Sequence, residues 1–123
     1  MSELLKAVKR GDLIEIKKLI ESHAFLNEKN SQGWTALFKA AEKGDVKTLK
    51  ILIDAGADVN HGDKTGFTAL FAAVLSGHVD AVKILLESGA SATIKVQVTS
   101  LTKLAMGIKK DAIIQLLRKA GAE

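Results

Sequence analysis

The chemistry open to this 123-residue chain rests on three histidines, 14 carboxylates and 18 basic side chains, with no cysteine among them. Without a thiol there is no sulfur nucleophile, redox switch or zinc–thiolate site, and no disulfide can hold the fold, which suits a reducing compartment. His23, His61 and His78 lie too far apart in sequence to share one helix face as metal ligands, so each is expected to serve the fold. Asp45, Asp54, Asp58, Asp80 and Glu87 recur at predicted helix ends and loops, where capping and helix dipoles account for them. The glycines are spread along the chain rather than gathered before a lysine, so no phosphate-cradling loop is present. The expectation is therefore no catalytic residue, no metal and no cofactor. What remains is recognition chemistry, and its most conspicuous carrier is Trp34, the only tryptophan.

The elements that position these groups come from an internal repeat. At an offset of 33, residues 30–62 and 63–95 match at 13 positions, including Gly33/Gly66, Thr35/Thr68, Leu37/Leu70, Gly44/Gly77 and Gly56/Gly89. The same offset pairs Leu4 with Leu37, Ala7 with Ala40, Gly11 with Gly44 and Asn27 with Asn60, so a further unit precedes these two. Such periodicity marks stacked units rather than one closed core. Ser2, Thr35 and Thr68 are suited to cap a first helix, small alanines follow, and Gly11, Gly44 and Gly77 allow the left-handed turn that ends it. LIEIKKLI, VKTLKILI and VDAVKILL then carry the one-sided apolar stripe of a second helix. Gly56 and Gly89 close second helices, and His23 occupies the matching position in the first unit. Glu15 and Lys18 are spaced to form an ion pair on the outer face of such a helix. The last unit is eroded: TSL at 99–101 resembles TAL at 35–37, but KVQV replaces a glycine-containing turn, and extra residues surround Gly107 and Ile108.

The segments DKTGFTALFAAVLSGHVDAVKILLESGA and AGADVN resemble the ankyrin repeat signature, and the resemblance spans essentially the whole chain. It implies an all-α solenoid of stacked helix-turn-helix units joined by hairpin-like loops, forming one domain, 1–123. The units fall at approximately 1–29 (N-terminal cap), 30–62, 63–95 and 96–123 (C-terminal cap). The chain departs from the family consistently, with Ala36, Ala69 and Ser100 in place of proline and Phe38 and Phe71 in place of histidine. Losing that histidine removes its hydrogen bonds, so both phenylalanines are expected to be buried between helices, each gaining about 1.5–3 kcal/mol. Asn60 matches the position at which ankyrin-like proteins can be hydroxylated.

The resemblance also implies a recognition surface, the concave face built from loop tips and the exposed side of the first helices. Matching positions give Arg10, Ser31, Gln32, Trp34, Glu42, Lys43, Lys64, Thr65, Phe67, Leu75 and Ser76 as partner-binding candidates, with Lys9 continuing the row. Trp34 and Phe67 fill the same slot in adjacent units and are expected to be neighbours, forming with Leu75 an apolar centre inside a charged rim; the alternative is that the two rings cover the hairpin loops or pack on each other, adding about 0.5–1.5 kcal/mol beyond area burial. On the first reading, replacing both aromatics with alanine removes partner capture and leaves the thermal midpoint nearly unchanged.

The expected function is a non-catalytic scaffold for another protein, monomeric and cytoplasmic. One alternative is self-association through the same patch, visible as a concentration-dependent mass. Another is a small ligand-binding protein or enzyme, which requires a deep pocket with converging polar groups. Nucleic acid is not an expected partner: the net charge of +4 is modest, and most of the excess falls in residues 96–123, away from any stripe. Membrane insertion and export by the usual route are not expected either, since the apolar runs are short and MSELLKAVKRGDLIEI lacks a signal core.

Overall fold

The computed structural model describes residues 3–22, 26–64, 66–91, 95–96, 99–100 and 111–120. Among these residues the helices are α1 (Glu3–Arg10), α2 (Leu13–Glu21), α3 (Ala36–Lys43), α4 (Val46–Asp54), α5 (Ala69–Leu75), α6 (Val79–Glu87) and α7 (Asp111–Lys119). β1 (Lys95–Val96) and β2 (Thr99–Ser100) form a short antiparallel ladder, pairing Lys95 with Ser100 and Val96 with Thr99. Thr99, which the TSL–TAL resemblance sets against Thr35, lies in β2. Ser2, His23, Gly107 and Ile108 fall outside the described residues.

The helices start and stop for the reasons legible in the repeat. Thr35 and Thr68 have extended backbones, and their hydroxyls accept from Phe38 N and Phe71 N at 3.3 Å each, satisfying an amide of the first turn. Asp12 and Asp45 cap the second helices in the same way. At the end of α3, Gly44 takes φ 72°, the left-handed conformation that a side chain opposes.

The helices stack in two layers. In the first, α1 packs on α3 and α3 on α5; in the second, α2 packs on α4, α4 on α6 and α6 on α7. Fully buried alanines at 7, 40, 41 and 73 let backbones approach, while Leu37, Leu49, Leu52, Leu70, Leu85, Ile113 and Leu117 fill the space between layers. Phe38 and Phe71 are 6% and 8% exposed, buried as the loss of the family histidine led one to expect.

Polar side chains brace one unit to the next. Asp58 N donates to Asn27 Oδ1 and Ser91 N donates to Asn60 Oδ1, both at 2.8 Å, which repeats one bond at the 33-residue spacing. The Asn60 amide also donates to Gly89 O at 3.1 Å. His78 Nε2 lies 3.0 Å from Glu42 O and His61 Nε2 lies 3.2 Å from Gly33 O. A carbonyl can only accept, so each ring carries its proton on Nε2. Both described histidines thus serve the fold. Glu15 and Lys18 do not form the expected ion pair; among the described residues the ion pairs are Lys6–Glu3 and Lys39–Glu42, both on first helices.

Candidate functional site

The expected site residues sit on two kinds of element, the loop tips at 30–34 and 63–67 and the C-terminal ends of the first helices. Each tip is closed by its first residue. Asn30 N donates to Trp34 O, and Asn30 Oδ1 accepts from Gln32 N and Trp34 N at 2.9 and 3.0 Å. Asp63 repeats the device, with Asp63 N bonded to Phe67 O and Asp63 Oδ1 accepting from Phe67 N at 3.0 Å. Ser31, Gln32 and Lys64 are left exposed at these tips, and Thr65 lies outside the described residues.

Trp34 has structural work in the fold. Its indole Nε1 donates to Asp63 Oδ2 at 3.0 Å, tying one loop tip to the next. The ring stacks on Phe38, with centroids 5.1 Å apart and planes 12° from parallel, and the Lys39 ammonium stands 5.8 Å from its centroid. Phe67 stacks likewise on Phe71, 3.9 Å between centroids. Each aromatic therefore covers the phenylalanine four residues on, a variant of the contact that staples the start of a helix. The two are linked less by mutual contact than by Asp63, whose carboxylate accepts from both residues. This corrects the expectation that Trp34→Ala with Phe67→Ala leaves the thermal midpoint nearly unchanged: both rings are half-buried and packed on the core. The signal was present in the sequence as an aromatic four residues before each unusual phenylalanine.

At the helix ends Arg10, Lys43, Leu75 and Ser76 are exposed and Glu42 is half-exposed. Lys43 is not a free cation: its ammonium donates to Val8 O at 2.9 Å and Lys9 O at 3.0 Å, capping α1 from the neighbouring unit. Glu42 is held by Lys39 at 2.6 Å. Among the described residues of this face, Leu75, 51% exposed, is the exposed large apolar side chain.

A cleft of ≈ 70 Å³ joins the tip at 30–34 to α1 and α3, lined by Leu5, Lys9, Asn30, Gln32, Trp34 and Lys39. Leu5, Asn30 and Lys39 are lining residues that the repeat pattern did not single out. A second depression, ≈ 320 Å³, lies between α6 and α7 against Lys83, Leu86, Glu87, Leu116, Lys119 and Ala120. Neither is lined by a histidine or hydroxyl that a reaction could use, and among the described residues no group of acids and histidines is placed to hold a metal. No helix among them is long and apolar enough to cross a membrane.

A family model described as ankyrin repeats (3 copies) matches residues 4–96. The fold is also that of an ankyrin repeat domain from Acinetobacter baumannii AYE, solved by crystallography at 1.00 Å resolution, with 33% identity and a TM-score of 0.94. All of this chain is covered, against 66% of that one, so the chain spans about two thirds of the length of its solved neighbour. Because 498 solved chains match, the architecture by itself selects no partner. No curated protein matches.

Proposed function

The chain belongs to the ankyrin repeat family, and from that premise we propose that it is a non-catalytic scaffold that takes a partner protein on its concave face, formed by the first-helix layer and the loop tips. Ankyrin repeats are in general protein-interaction modules and their fold is typically non-catalytic. The observation that carries the reading to this face is Leu75. It is 51% exposed at the end of α5, while the neighbouring first-helix residues Ala69 to Val74 are buried. A large apolar side chain left in water beside Ser76, one unit away from Glu42 and Lys43, has the makings of an anchor inside a polar rim.

The reading treats 1–123 as one domain with outer units at 1–29 and 96–123 as caps, working as a monomer in the cytoplasm; the cysteine-free composition supports a reducing compartment. Affinity capture followed by mass spectrometry tests the face, comparing wild type with Leu75→Arg and with Ile14→Lys. Ile14 is the other exposed large aliphatic residue among the described residues, 72% exposed, but it stands on α2 in the opposite layer. Loss of the same captured proteins with Leu75→Arg, and their retention with Ile14→Lys, is the expected result; the reverse pattern moves the binding face to the second helices.

A further inference from the structure

The basic positions of α1 begin three rows at the 33-residue spacing: Lys6, Lys39, Ala72; Lys9, Glu42, Leu75; and Arg10, Lys43, Ser76. Along every row the side chain passes from basic in the first unit to neutral in the third. Helices α1, α3 and α5 together hold five basic and two acidic residues, net +3, whereas α2, α4 and α6 hold five of each, net zero. The charge excess of these three helix pairs is thus sorted onto one face and one end of it. Basic residues in a last turn suit the helix dipole, but α5 ends without any, so the fold does not require them.

The two acids of α1, α3 and α5 are already occupied, and Asp63 at the loop tip is held by Trp34 Nε1 and Phe67 N. Glu3 pairs with Lys6 at 3.5 Å and Glu42 with Lys39 at 2.6 Å, while among the described residues Lys9 and Arg10 pair with no carboxylate. Lys43 adds its ammonium at the same helix end, held against Val8 O and Lys9 O. Beside them, the cleft with Leu5 and Trp34 among its walls is lined by two cations, Lys9 and Lys39. At ≈ 70 Å³ it has room for a carboxylate group or a few waters, and not for a cofactor ring system.

We propose that the occupant of this face is an acidic segment of a partner protein. Its carboxylates lie over Lys9, Arg10 and Lys43, one enters the cleft between Lys9 and Lys39, and its apolar end covers Leu75. The proposal rests on the concave-face reading and adds the partner's chemistry and direction. Charge complementarity carries it. A nucleic acid fits less well, since a phosphate backbone needs a continuous basic track and here would run onto the uncharged α5 and Leu75.

The test selects random displayed peptides on the intact chain, then measures the winners by fluorescence anisotropy against Lys9→Glu/Arg10→Glu, Lys17→Glu/Lys18→Glu and Leu75→Arg. The first two variants change the net charge equally, on opposite layers. Expected are peptides rich in Asp and Glu at one end and apolar at the other, weakened about tenfold or more by Lys9→Glu/Arg10→Glu and less than about twofold by Lys17→Glu/Lys18→Glu. Peptides without acidic bias that are lost with Leu75→Arg overturn this inference and leave the concave-face reading standing. Peptides sensitive only to Lys17→Glu/Lys18→Glu overturn both. Tighter binding of oligodeoxythymidylate or phosphatidylserine vesicles, abolished by Lys9→Glu/Arg10→Glu, overturns the protein partner in favour of another polyanion. Should the reversed variant unfold, Lys9→Gln/Arg10→Gln replaces it, with a smaller loss expected in the same order.

Discussion

The indole of Trp34 donates to the carboxylate of Asp63, 3.0 Å away in the next unit, and the other oxygen of that carboxylate accepts from Phe67 N. One side chain thus closes its own loop tip and holds the tip before it. Trp34→Phe removes the N–H and keeps the stack on Phe38, so it is expected to lower the unfolding free energy by about 1 kcal/mol, and Trp34→Ala by about 2–3 kcal/mol. Urea unfolding measures both. Equal effects from the two substitutions mean that the ring stack contributes nothing.

Gly44 combines φ 72° with a close neighbour, since a Cβ there meets the His78 ring at 2.6 Å. Gly44→Ala is expected to destabilise by about 2–4 kcal/mol, against about 1 kcal/mol for Gly56→Ala, which has positive φ but open space around it. Adding His78→Ala removes the clash and the bond to Glu42 O together. The double variant should therefore lose less than the sum of the two single losses, a non-additivity that a double-mutant cycle reads directly.

Lys43 has a structural role beside its proposed recognition role, and a stability measurement reads the structural one. Lys43→Met keeps much of the aliphatic stem and removes the bonds to Val8 O and Lys9 O, for an expected loss of about 1 kcal/mol. A thermal midpoint unchanged from wild type shows that water replaces the ammonium without loss.

Asn27 and Asn60 make the same bond one repeat apart, but Asn60 makes a second one to Gly89 O. Asn60→Ala is accordingly expected to cost more than Asn27→Ala, by about 0.5–1.5 kcal/mol. Equal midpoints in urea remove the second bond from the account.

The caps, the glycine turns and the buried phenylalanines were legible because each follows from local residue type at a fixed period. Thr35 caps whatever lies beyond it, and Phe38 has nowhere but the helix interface to go. Trp34 was harder to read. A half-buried aromatic beside a loop has the same sequence signature whether it binds a partner or an Asp63 twenty-nine residues away, and only the stacking of units decides. The sorting of charge onto the first helices was hidden because counting along the chain averages both layers of every unit.

The central claim is that the partner sits on the first-helix layer, and amide hydrogen exchange of the chain with and without a selected peptide tests it most directly. The account predicts added protection at the loop tips 30–34 and 63–67 and at the C-terminal ends of α1, α3 and α5, with α2, α4 and α6 unchanged. Protection confined to α2, α4 and α6, or to the depression between α6 and α7, would contradict it.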